Sequence, residues 1–255
     1  MEIQKDRWLS AIFGYGVFKI HLAPVSVTGE HNASDICDLI LRHARQQAVV
    51  MYYTKVDTGQ VDLVRKLSSI GLYVVDVNVT FSMTTNPQLN PCKPDGGSRF
   101  SIREIGPEKH QEVLDIAASC FQYSRFHLDP LIPNAIANRI KHDWVLNYLR
   151  KQRGERLWVG FIDEHPVGFL AVLASESNGK HVRTIDLIGV SKAFQKQGIG
   201  QALVEFFINR YKDQCEYLQV GTQVANVPSM RLYQKLGFSI TNTAYVMHKH
   251  VRNDT

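Results

Sequence analysis

Six residues, Gln195-Lys196-Gln197-Gly198-Ile199-Gly200, stand between an apolar run and an amphipathic one. The first run, Ile185–Val190, reads as a strand, and the second sets Leu203, Val204, Phe206 and Phe207 on one face of a helix. A helix start leaves its first backbone N–H groups without partners and carries partial positive charge, so it receives phosphate readily. Glycine at 198 and 200 lets the backbone approach such a group with no Cβ in the way. The chemistry is that of a diphosphate cradle. The segment lacks the Gly-Lys-Ser/Thr ending of a nucleoside triphosphatase loop. It also lacks the third glycine of a dinucleotide fold, and the acidic residue that fold wants about 20 positions on. Taken alone, the six residues also suit an ordinary strand-to-helix turn.

The elements around the cradle are legible from period and punctuation. Downstream, Tyr217–Thr222 reads as a second apolar strand, 227–236 as a short helix with Pro228 near its start and Gly237 at its end, and Phe238–His248 as a long strand. Upstream, Glu104-Ile-Gly-Pro107 opens a helix with Val113, Leu114, Ile116, Ala117, Cys120 and Phe121 at helical spacing. A second helix, from about Pro133 to Gln152, repeats Ile136, Ile140, Trp144 and Tyr148 at intervals of four. Leu157–Ile162 and Val167–Ala174 flank a Glu-His-Pro turn as a hairpin, and Ser177-Asn178-Gly179 leads to the cradle strand. Over 99–255 the expected order is β-α-α-β-β-β-α-β-α-β.

Gln195-x-x-Gly198-x-Gly200, followed one strand later by Asn226-x-x-Ser229-x-x-x-Tyr233 and Leu236-Gly237-Phe238, resembles the GNAT N-acetyltransferase superfamily. The resemblance implies an α/β (α+β) GNAT fold with a mixed central sheet, an N-acyltransferase activity and acyl-CoA as co-substrate. It implies that Gln195, Lys196, Gln197, Gly198, Ile199 and Gly200 hold the pyrophosphate. Leu187, Ile188, Gly189 and Val190 would offer backbone groups to the pantetheine arm in the manner of an added strand. Asn226 would hold the pantetheine or ribose, and Tyr233 would protonate the departing thiolate. A phenol, with pKa near ~10, is well matched to that task. Tyr233 follows Asn226 by seven residues, two helical turns along one face. A tyrosine there also reads as a core residue below the strand.

Residues 1–83 carry a second strand–helix–strand–helix–strand run: Gly16–Leu22, Ala33–Gln47, Ala48–Thr54, Val61–Ile70 and Leu72–Ser82. Ser69-Ile-Gly71-Leu72 aligns with Lys235-Leu-Gly237-Phe238, which sets Leu67 opposite Tyr233, and no Gln-x-x-Gly-x-Gly occurs there. The pattern suggests a smaller, degenerate GNAT-like half without an active centre of its own, joined through a breaker-rich linker at 84–98 to a catalytic domain at 99–255. Two ordinary β-α-β patterns would look the same.

Cys120-Phe-Gln-Tyr-Ser124-Arg125-Phe126-His127-Leu-Asp129, Phe13-Gly14 after Trp8, and Gly221-Thr-Gln-Val-Ala-Asn226 resemble the TDP-fucosamine acetyltransferase branch. That implies a nucleotide-linked, dTDP-type aminodideoxy sugar as acceptor, a place in O-antigen or lipopolysaccharide synthesis, and a homodimer. The chain departs from the branch in Val-Ala before Asn226 and in an Arg/His-rich end. Ser124, Arg125, Phe126, His127 and Asp129 are the candidate acceptor residues. Arg125 brings a forked donor for a diphosphate, Phe126 an apolar face for a deoxysugar, and His127 with Asp129 a proton relay. A solvated loop anchored by one phenylalanine is the plainer reading. Acetylation of a protein, peptide or other small amine, and a non-catalytic acyl-CoA-binding regulator, stay open as alternatives.

Net charge is +5, which favours anionic small molecules, and no basic stripe with interleaved aromatics points to nucleic acid. No run approaches the ~20 apolar residues of a membrane helix, and Lys19 and His21 interrupt the early apolar stretch, so no signal peptide is expected. Cysteines 37, 92, 120 and 215 show no paired spacing, so no metal site or disulfide frame is expected and a cytoplasmic location is the default.

Overall fold

The computed structural model describes residues 2–22, 33–46, 49–85 and 100–252. The first part of the chain forms β1 (Glu2–Lys5), α1 (Arg7–Phe13), β2 (Gly16–His21), α2 (Ala33–Arg45), β3 (Val49–Asp57), α3 (Val61–Ser69) and β4 (Tyr73–Thr84). The second forms β5 (Phe100–Arg103), α4 (His110–Ala117), α5 (Arg125–Leu128), α6 (Asn134–Leu149), β6 (Arg156–Ile162) and β7 (His165–Ser177). It ends with β8 (Lys180–Val190), α7 (Ile199–Tyr211), β9 (Tyr217–Gln223), α8 (Val227–Lys235) and β10 (Ser239–Arg252). Apart from the short α5, the expected order of the second part is the observed one. The short elements β1, α1 and α5 were not anticipated. Four to seven residues are too few for a period to show, and α1 is held by the Asp6 carboxylate accepting from Leu9 N–H at 2.9 Å.

All ten strands lie in one sheet, ordered β1-β2-β3-β10-β4-β9-β8-β7-β6-β5. β2 runs parallel to β3 and β8 parallel to β9, so the two strand–helix–strand runs match. Their last strands are exchanged. β10 pairs antiparallel with β3, β4 pairs antiparallel with β9, and β4 and β10 pair with each other in the middle. The turns before the exchanged strands also match, with Gly71 at φ 88° and Gly237 at φ 90°, conformations that glycine adopts without strain.

Alternation along the strands divides the core between two faces. On one face α7 and α8 cover Val79, Phe81, Leu170, Val172, Ile185, Val220 and their neighbours. On the other, α4 and α6 cover Val159, Phe161, Phe169, Ala171 and Leu187, while α1, α5 and α6 cover Val17 and Met51. α2 and α3 close the first part over Phe18, Ile20 and Tyr52, with Leu67 of α3 packed among them. No helix among the described residues is long and apolar enough to cross a membrane.

Candidate active site

Two parallel strands separate at the centre of the second part. The β8–β9 ladder runs only from Val182↔Tyr217 to Ile185↔Val220, although β8 continues to Val190 and β9 to Gln223. On its other side β8 stays paired with β7 as far as Val190↔Gly168. Leu187, Ile188, Gly189 and Val190 therefore present an edge with no strand against it, toward the end where α7 begins. There Gly198 adopts φ 81° and caps α7 without any side-chain cap, so the first N–H groups of the helix face outward. A Cβ built on Gly198 meets nothing within 4 Å, and one on Gly200 only touches Val190 at 3.9 Å. Gln195 and Gln197, both exposed, fold back and donate to the Val190 and Ala193 carbonyls, each at 3.2 Å, which holds the turn. Lys196 is exposed at φ 62°, and Ile199 anchors the helix start in the core.

The separation begins at a bulge. β7 pairs Ala171 with Leu187 and Val172 with Ile185, which leaves Asp186 as the extra residue. Its carboxylate accepts from Trp144 Nε1 and Tyr148 Oη, each at 2.8 Å, and from Arg153 at 2.7 and 3.0 Å. Four donors from α6 and the loop after it thus pin the bulge. In the sequence its only sign is a carboxylate inside an otherwise apolar strand. Asp186→Ala leaves the Trp144 and Tyr148 donors without an acceptor, at a cost of about 3 kcal/mol. A lowered melting temperature together with a raised KM for acyl-CoA is the expected result of melts and kinetics on this variant. An unchanged KM would detach the bulge from the cleft.

Tyr233 of α8 is 2% exposed, with its ring 5.6 Å from Phe81 of β4 and 6.1 Å from Phe238. Burial pushes its phenol up, partly offset by the hydrogen bond with the Ser229 side chain one helical turn earlier. Asn226 is the cap of α8: its Oδ1 accepts from Ser229 N–H at 3.4 Å and its Nδ2 donates to Thr222 Oγ1 at 3.2 Å.

The Ser124–Asp129 segment is a buried clasp. Asp129 accepts from His248 Nδ1 at 2.6 Å, His250 Nε2 at 3.0 Å, Tyr73 Oη at 2.7 Å and Leu131 N–H at 2.9 Å. Burial pushes its carboxyl up, but those donors together outweigh burial and hold it well below the usual carboxylate range. Burial drives the His248 imidazole down to about 4, so it is neutral: Nδ1–H faces Asp129, and Nε2 accepts from Arg125, 3.5 Å away. The expected relay of His127 to Asp129 is thereby corrected. His127 instead bonds Ser124 Oγ at 2.6 Å and Asn138 Oδ1 at 2.9 Å, and the histidine on Asp129 comes from β10, more than a hundred residues away. Phe126 is corrected too. It is 2% exposed among Leu9, Ile12 and Ala137, so its ring serves the core and offers no face to a sugar.

Arg125 lies over β3 and β10. Its guanidinium lies 4.0 Å from the Tyr53 ring and 4.4 Å from the Phe126 ring, and the Tyr53 hydroxyl in turn donates to Asp6 at 2.8 Å. Nearby, Lys141 of α6 is 7% exposed, with its ammonium 4.8 Å from Phe121 and 5.0 Å from Trp144. Burial, then Arg125, lowers it to about 8. Neither cation has a carboxylate at ion-pair distance among the described residues. Lys141 was missed, although a lysine on the Ala137–Val145 stripe of an amphipathic helix is a visible exception. Beside it, Cys120 lies against Gly189, where an added Cβ would come within 2.7 Å of the sulfur. Burial pushes that thiol up to about 12.

The acetyltransferase (GNAT) family profile matches residues 110–238, the region that holds the cleft, the bulge and the uncapped helix. A spore coat polysaccharide biosynthesis protein, SpsD of Bacillus subtilis (strain 168), is 27% identical over 152 residues, 57% of this chain and 50% of that one. The chain thus spans about half the length of this curated relative. A GCN5-related N-acetyltransferase from Sphaerobacter thermophilus superposes over 100% of this chain and 77% of its own, with TM-score 0.66 at 14% identity. A tandem GNAT protein from the clavulanic acid biosynthesis pathway covers 94% of this chain and 76% of its own, with TM-score 0.59 at 11% identity. At these identities the solved structures speak for the fold alone, whereas the profile speaks for the family. The chain belongs to the GNAT acetyltransferases, enzymes that transfer an acyl group from acyl-CoA to an acceptor.

Proposed function

We propose that the chain acylates the amine of a nucleotide-linked aminodideoxy sugar. The observation that carries this reading is the pair Arg125 and Lys141, two desolvated cations with no carboxylate at ion-pair distance among the described residues, Arg125 over Tyr53 of β3 and Lys141 against Phe121 and Trp144 with the Asp186 charge nearby. Unpaired buried cations are costly unless a ligand brings the anion, and a diphosphate brings two. The polysaccharide role in SpsD's name supports a sugar acceptor. Residues 1–83 form, on this reading, the degenerate half that supplies the acceptor side through β3 and β4.

The uncapped start of α7, with Gln195, Lys196, Gln197, Gly198, Ile199 and Gly200, receives the pyrophosphate of acyl-CoA. Leu187 to Val190 bond the pantetheine arm along the open edge, and free N–H groups beside the Asp186 bulge polarise the thioester carbonyl. Asn226 contributes by fixing where α8 begins, which sets Tyr233 beneath the sulfur. The acceptor amine attacks the carbonyl carbon directly and the C–S bond breaks. The phenol of Tyr233, kept protonated by burial, gives its proton to the thiolate and regains one from the nitrogen. Cys120 takes no acyl group, because a thiol held near 12 is protonated at neutral pH.

The test is turnover of acetyl-CoA and longer acyl-CoAs with a panel of acceptors: dTDP- and UDP-linked aminodideoxy sugars, the nucleotide-free aminosugars, and lysine peptides. A kcat/KM for a nucleotide-linked sugar at least about 10²-fold above its nucleotide-free form is expected, since two charged contacts are at stake. Preference for the peptides would replace this reading with protein acetylation.

A further inference from the structure

One buried acid in the described structure has no task in the mechanism above. Asp76 of β4 is 6% exposed, and neither carboxylate oxygen has a hydrogen-bond partner. Only the N–H of Val77, its own neighbour, approaches weakly. A carboxylate removed from water without donors is costly, and such a group lowers its cost only by taking up a proton or meeting a cation. The alternation in which Asp76 sits, Val75-Asp76-Val77-Asn78-Val79, is that of an ordinary half-buried strand, so its sequence gave no sign.

Its position follows from register. Val246 pairs with Lys55 on β3 and with Asp76 on β4, so the three form one row across the sheet. In the next row Ala244 stands between Asp57 and Asn78, and Asn78 pairs onward with Gln223, the last residue of β9. Asp76 therefore lies just past the end of β9, the same end at which β8 and β9 have parted. Val79 and Phe81 point to the α7 side, so Asp76 and Asn78 point to the other, which α5 and Arg125 overlie. An amine-bearing acceptor that Arg125 held over this face would come within reach of Asp76 on β4.

We propose that Asp76 is the general base that receives the acceptor ammonium, holding its N–H groups and removing one proton before attack. This rests on the reading of the acceptor as an amine bearing an anionic group. The carboxylate takes a proton from R–NH3+, giving R–NH2 and the Asp76 acid. The amine forms the new N–C bond, the C–S bond breaks, the second nitrogen proton replaces the one Tyr233 gives to sulfur, and Asp76 returns its proton to water. The groups facing Asp76 suit a base that titrates near neutrality. Burial drives its carboxyl up to about 6, and Lys55 restrains the rise. Lys55 is itself engaged with Asn78 Oδ1 at 2.9 Å. Asp57, Tyr53, Arg125 and His248 lie in the adjoining rows or over them, and His248 is neutral. Lys19, on β2, acts on Lys55.

The test is Asp76→Asn in the full chain, assayed with acetyl-CoA against a dTDP-linked aminodideoxy sugar and, in parallel, against the nucleotide-free aminosugar and a lysine peptide, from pH 6 to 10. The expected loss in kcat at pH 7 is about 10²–10⁴-fold, with activity recovering tenfold per pH unit until the free amine predominates. The same variant should melt higher than wild type at pH 8. The raised carboxyl pKa takes stability from the folded state progressively between about pH 4 and pH 6 and in full above that, and the amide removes that burden. An unchanged acid limb, or a loss that does not recover at high pH, overturns the assignment even if the nucleotide sugar is a good acceptor. Turnover of only the free sugar or peptide, with the same recovery in the variant, overturns the nucleotide-sugar reading and keeps the base.

Discussion

Replacing Tyr233 by phenylalanine is expected to lower kcat by about 10²–10⁴-fold while leaving the KM for acyl-CoA nearly unchanged. The ring keeps its contacts with Phe81 and Phe238, so the apolar packing stays. Only the hydroxyl and its bond with Ser229 are lost, at about 1 kcal/mol of stability. Those two numbers separate the acid from the core residue, because a phenol that merely satisfies Ser229 would show the stability loss and retain its turnover. Steady-state kinetics beside a thermal melt measures both. A folded variant with near-wild-type kcat would mean that the thiolate takes its proton from water.

Gly198→Asp should separate binding from stability in the opposite sense. No atom lies within 4 Å of the new Cβ, and aspartate tolerates φ 81° better than most residues. Its carboxylate also caps the free N–H groups of α7, worth about 1 kcal/mol against a similar backbone strain, so the melting temperature should hardly move. Coenzyme A then meets a negative charge where it needs donors. A repulsion of about 2–4 kcal/mol weakens binding by roughly 30- to 1000-fold. Titration calorimetry with coenzyme A is the measurement, with Gly198→Asn as the uncharged control. Equal affinities of wild type and the aspartate variant would remove the cradle.

The parts of the molecule that were legible in the sequence are those whose cause is local. Gly198 and the Leu203–Phe207 stripe announce a strand-to-helix turn because φ preference and a 3.6-residue period act over a dozen residues. Arg125 was reached through its neighbours in the chain, but its setting was not. The imidazole on Asp129 belongs to β10, and Tyr53 to β3. The expectation of His127 as the partner of Asp129 failed because nearness in sequence stood in for nearness in space. Ser124 in its own segment and Asn138 on α6 satisfy His127, which leaves Asp129 for the strand below. Lys141 and Asp186 were overlooked for a different reason. Each is a single charge inside an apolar pattern, and it meets partners from other parts of the fold.

The exchanged strands bear on how the chain comes to be folded. Thr58 hydrogen-bonds Thr243 across 185 residues, and the β3 edge from Val49 to Asp57 is covered only by β10. During synthesis that edge stays open until β10 has left the ribosome, so the first part cannot complete its sheet by itself. Contacts of such separation make folding slow and leave a strand edge exposed to other chains meanwhile. The same interlock protects the finished molecule. A nick between residues 86 and 99 would release no fragment, since each piece holds the strand that completes the other.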